Sequence, residues 1–63
     1  MLVVGWRTGA NPVLVSKVLR KHTDMDLKQV KKTVDDIFDG KTVKLPDHFL
    51  LIEDLAECKL ILK

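Results

Sequence analysis

Residues 9–34 read GANPVLVSKVLRKHTDMDLKQVKKTV, and this stretch decides the fold. Asn11-Pro12 is a helix start, with Asn at the N-cap and Pro at the first helical position. The helix is predicted to run to about Lys21. Leu14, Val15, Val18 and Leu19 then share one face, which is the predicted core face. Val13, Ser16, Lys17 and Arg20 share the other at i, i+3, i+4 and i+7. Thr23-Asp24-Met25-Asp26 interrupts the pattern. Asp26 with Gln29 three residues on reads as a capping box, and Asp24 is the alternative cap. A second helix follows, with Leu27, Val30, Val34, Ile37 and Phe38 on one stripe. Gly40 ends it, since glycine accepts the left-handed conformation that closes a helix.

Outward from these two helices the pattern shortens. Leu2-Val3-Val4, ending near Gly5 and Trp6, is an apolar, β-branched run and reads as a buried strand. Arg7–Ala10 is a turn. Lys41–Leu45 alternates and carries two lysines, as an edge strand does. Pro46-Asp47 opens a third helix with Asp47 as its predicted cap. Phe49, Leu50, Leu51, Ile52, Leu55 and Ala56 are its predicted core. Cys58-Lys59 is a turn, and Leu60–Leu62 is the last strand. The fold class is therefore α+β: a single β-α-α-β-α-β domain over residues 1–63, a three-stranded sheet with three helices on one face. The first and last strands are the most apolar and are expected to pair in the middle of the sheet or to bury together.

Sixty-three residues, 46% apolar and 32% charged, allow one thin core and no two-domain cleft. The single cysteine excludes an internal disulfide and a four-cysteine zinc site. It points to a reducing, cytoplasmic setting. No apolar run approaches the length of a membrane span, and Met1–Trp6 is too short for the apolar core of a leader. The net charge of +2 hides an asymmetry. Arg7–Lys32 carries seven basic and two acidic residues, whereas Thr33–Cys58 carries seven acids and two lysines. A function read from charge belongs to the first half.

The same stretch resembles the C-terminal domain of the bacterial ribosomal stalk protein. The matching positions are Gly9, Ala10, Asn11, Val13, Val15, Lys17, Arg20, Thr23, Leu27, Lys28, Lys31 and Val34. They cover about half the chain by motif, and element order extends the likeness to nearly all of it. The resemblance implies a three-stranded antiparallel sheet and a head that binds translational GTPases. The surface it implies runs along the first helix and the start of the second, through Val13, Lys17, Arg20 and Lys31. With Ser16 on the same stripe and Lys28 beside Lys31, the candidate partner-binding set is Val13, Ser16, Lys17, Arg20, Lys28 and Lys31. Two positions depart from the family: Pro12 stands in place of a lysine, and Ser16 in place of an aliphatic residue. The family's dimerisation region and hinge have no counterpart in these residues. The fold is also similar to that of the Clp-protease adaptor for N-terminal degradation signals. Its acidic loop is replaced here by Arg7-Thr8-Gly9-Ala10, leaving no carboxylate to meet a free amino group.

Other residue types assemble no chemistry. His22 and His48 have no metal-ligand spacing with Cys58 or an acid and read as surface residues at helix ends. Cys58 has only Lys59 beside it and reads as a small apolar residue at a turn. Asp35, Asp36 and Asp39 read as a solvated helix face. Trp6 is either a surface anchor or the edge of the core. No glycine-rich phosphate loop is present. The expected function is non-enzymatic protein–protein interaction through the basic helical face, without metal, cofactor or small-molecule substrate. The alternatives are a small nucleic-acid-binding protein or a regulatory, accessory or viral protein using the same lysines.

Overall fold

A computed structural model describes all residues from Met1 to Lys63. The elements are β1 (Leu2–Trp6), α1 (Pro12–His22), α2 (Leu27–Phe38), β2 (Val43–Lys44), α3 (Phe49–Glu57) and β3 (Leu60–Leu62). The sheet is antiparallel with order β2-β1-β3. β1 is thus the central strand. β3 pairs with it at one edge of the sheet, and Val3 and Leu60 are buried together in the core, as expected of the two most apolar strands. Leu2 faces Lys44 and Val3 faces Val43 on one side. Val3 faces Leu62, Gly5 faces Ile61 and Trp6 faces Leu60 on the other, with an irregularity between Val3 and Gly5. Such an extra residue turns the strand locally. It lets Trp6 reach the helix side, where its ring meets Phe38 at 5.2 Å. Trp6 is 41% exposed and lies at the surface against Phe38, which itself packs on the core.

The caps explain where each helix begins and ends. The Val13 N–H donates to Asn11 Oδ1 at 2.8 Å. Asp26, not Asp24, caps α2: the Gln29 N–H donates to Asp26 Oδ1 at 2.8 Å and the reciprocal bond is also made. Gly40 closes α2 at φ +86°, a conformation that costs other residues dearly. α3 departs from expectation. Its cap is His48, whose Nδ1 accepts from the Leu51 N–H at 3.3 Å. Asp47 is drawn away by the amino terminus, with which its carboxylate pairs.

The core is eleven buried side chains, all apolar or cysteine. Val3, Val15, Leu19, Ile37, Leu51 and Leu55 are completely shielded. α2 lies against β1 and β2, α3 lies against β3, and α1 packs on both helices. The opposite sheet face is left open, with Leu2 and Ile61 exposed on it. A core this small accepts only one stripe per helix. In α3 that stripe is Leu51 and Leu55, so Phe49, Leu50, Ile52 and Ala56 are exposed rather than buried as expected. Leu14, about 100° round α1 from Val15, is half outside for the same reason. No helix is long and apolar enough to cross a membrane.

Two measurable consequences follow from this packing and capping. Leu19→Ala or Ile37→Ala should cost about 2–5 kcal/mol, a large share of a small domain's stability, in urea melts. His48→Ala should cost about 0.5–2 kcal/mol, and His48→Asn should recover most of it, because Asn supplies the same acceptor.

The amino-terminal ammonium holds the Asp47 carboxyl below its ordinary 3.8, by hydrogen bond first and charge second. A carboxyl with a lowered folded pKa adds stability above its unfolded pKa, and that stability is lost as pH falls through the folded value. Acetylating the amino group should therefore flatten the acid limb of the stability curve. An unchanged limb in acid titrations of both forms would refute this.

Candidate functional site

α1 and α2 pack against each other. Between them opens a cleft of about 370 Å³. Pro12, Val13 and Ser16 of α1 form one wall. Leu27, Val30 and Val34 of α2 form the other wall and the floor, with Lys31 and Asp35 at the rim. Val30 and Val34 are buried, so they form a fixed apolar floor. Val13 and Leu27 are 60% and 67% exposed, so they form its exposed lips. Ser16 adds little polarity, because its hydroxyl donates to the Pro12 carbonyl at 2.9 Å. Such back-bonding to the preceding turn is how serine is accommodated inside a helix.

The structure brings Val13, Ser16 and Lys31 into one cleft. Lys17 and Arg20 do not line it. They continue the Val13–Ser16 stripe along α1 at i+4 and i+7, and both are exposed. Lys28 follows Leu27 and precedes Lys31 by three residues, so both lie along one side of α2. None of Lys17, Arg20, Lys28 and Lys31 is in an ion pair, whereas Lys41 sits 3.6 Å from Asp36 and 3.9 Å from Asp39. Asp35 is the one acid on the rim.

Sequence reasoning missed Leu27, Pro12 and the two floor valines as parts of a site. Leu27, Val30 and Val34 were expected in the core, and two of the three are. Leu27 carried a usable signal. It is the first residue after the cap, and the preceding helix ends five residues earlier. A side chain at that point has no turn of its own helix before it to pack against.

The other polar groups are engaged elsewhere. His22, expected at the surface, has a side chain only 8% exposed, and its Nε2 is 2.5 Å from Asp54 Oδ2. It ties the end of α1 to α3. The His48 ring lies 5.8 Å from it, with its Nδ1 spent on the α3 cap. Cys58 is buried, and burial raises its thiol pKa above 9.0, with Asp54 and Glu57 adding to the rise. No family model, curated protein or solved structure matches the chain.

A thiolate is the reactive form of cysteine, so a shielded thiol with a raised pKa should be inert. Cys58 should react with a disulfide reagent at least about tenfold more slowly in the folded protein than in denaturant. Equal rates would show that the turn opens freely.

Proposed function

We propose that this chain is a non-enzymatic protein-docking module whose α1–α2 cleft receives an acidic, amphipathic helix. The observation that carries this reading is the combination of an open apolar cleft lined by the unpaired Lys31 with three further unpaired cations, Lys17, Arg20 and Lys28, on the same two helices. Val13 and Leu27 supply apolar contact over the Val30–Val34 floor. Lys17, Arg20, Lys28 and Lys31 steer an acidic partner and set its register. Charges at a rim act mainly on encounter rate and orientation, while the buried apolar contact supplies most of the affinity. The resemblance to the ribosomal stalk head adds a partner class, a translational GTPase, and a cytoplasmic setting. The engaged state of Ser16, His22, His48 and Cys58 supports a binding role over a catalytic one. Ser16, His22 and His48 are each hydrogen-bonded to the scaffold, and Cys58 is buried.

The test is a titration of isotope-labelled protein with a purified bacterial translational GTPase, followed by NMR. Amide shifts should cluster at Val13, Ser16, Lys28 and Lys31. Lys17→Glu with Arg20→Glu should weaken binding about tenfold, mostly through a slower on-rate. Shifts elsewhere, or no effect of the double reversal, would sink the reading. An oligonucleotide that binds the same face with a log–log salt slope of about −0.9 per contacted phosphate would replace it with nucleic-acid binding.

A further inference from the structure

α3 has two apolar sides. Leu51 and Leu55 face the core and fix the helix's rotation. Phe49, Ile52 and Ala56 recur at i, i+3 and i+7, so they form a second apolar stripe on the outer surface. Phe49 is 76% exposed, the most exposed large apolar side chain of the chain. Glu53 and Glu57 flank the stripe and are exposed and unpaired. This is an acidic, amphipathic helix, the chemistry that the α1–α2 cleft accepts. The pattern complements α1: Phe49, Ile52 and Glu53 stand at i, i+3 and i+4, as Val13, Ser16 and Lys17 do.

We propose that a second copy of this chain docks the outer stripe of its α3 in the α1–α2 cleft. The proposal rests on the cleft being a docking site for acidic helices, and it names one occupant. Within a single chain the two surfaces cannot meet. α1 packs against both α2 and α3, while α2 and α3 make no close approach to each other, so α1 stands between the cleft and the stripe. The contact is head to tail. Each docked copy leaves one cleft and one stripe free, so assembly grows with concentration rather than stopping at a symmetric pair. α3 is nine residues, about 14 Å long, and offers one face. The interface is therefore small, below about 1,200 Å², and the association transient. A partner helix and a second copy compete for the same cleft, so self-association lowers partner binding as concentration rises.

Sedimentation equilibrium from micromolar to millimolar protein tests this. The average mass of the wild type should rise with concentration. Phe49→Ala should weaken association about tenfold. Two exposed double reversals, Lys17→Glu/Arg20→Glu and Glu53→Lys/Glu57→Lys, should each be monomeric and fully folded by circular dichroism. Mixed in equal amounts they should associate again, because an intact stripe then meets an intact cleft. A wild type that stays monomeric throughout overturns the proposal, as do reversed variants that associate like wild type and a mixture that stays monomeric. If the wild type is monomeric while a translational GTPase still shifts the cleft amides, only the self-docking proposal falls. If neither binds, the cleft reading falls with it.

Discussion

The thinness of the core governs everything else about this chain. Val3, Val15, Leu19, Ile37, Leu51 and Leu55 meet in one small apolar cluster. A domain of this size removes only about 60% of its unfolded surface from water. Such a cluster can take one stripe from each helix. The apolar residues beyond that stripe remain outside, where they enlarge the surface available for contact. Leu27 and Val13 become the lips of a cleft, and Phe49 and Ile52 become an outer stripe. The constraint that limits stability is therefore the one that leaves the cleft and the outer stripe exposed. Scattered exposed apolar side chains need no explanation, but a continuous cleft with an apolar floor marks an interaction site.

The element order and most boundaries were legible in the sequence because they are written in local chemistry. Asn11-Pro12, the Asp26–Gln29 pair and Gly40 each act within one turn of chain, and each has the role its residue type predicts. α3 was legible as a helix but not as a burial pattern. FLLIEDLAE is apolar on nearly every side of its first turn, so periodicity alone cannot say which stripe faces inward. Its cap was misread for a related reason. Asp47 has the better capping side chain, but the amino terminus competes for it over 46 positions of sequence. The exposure of Phe49 and the burial of His22 belong to the same class. Both depend on where α3 sits against α1, and no short-range pattern encodes that.

The candidate face was half legible. Helical spacing alone places Val13, Ser16, Lys17 and Arg20 on one stripe. The cleft needed the second helix in position, because its floor comes from Val30 and Val34, residues that look like ordinary core. They serve both purposes. Both are buried in the hydrophobic core, and both also line the base of the cleft. A floor anchored in this way is held by the core, which would keep the ordering cost of the proposed docking small. The lips, Val13 and Leu27, are the exposed part.

The charge asymmetry sharpens when set on the structure. Folding brings the basic and acidic halves within a molecule of 26 × 23 × 18 Å. Yet none of the seven basic residues between Arg7 and Lys32 forms an ion pair with the acidic half; the one α1–α3 pair uses His22. Exposed pairs contribute little stability, typically below about 1 kcal/mol, so leaving them unmade costs the fold little. Unmade pairs keep their field. A positive α1–α2 face and a negative α3 face give the molecule a polarity that steers an approaching partner before contact is made. The apolar surface beneath each face then decides whether the encounter lasts. On the docking role proposed above, steering by charge and retention by a shallow apolar cleft would give binding that is fast to form and fast to release.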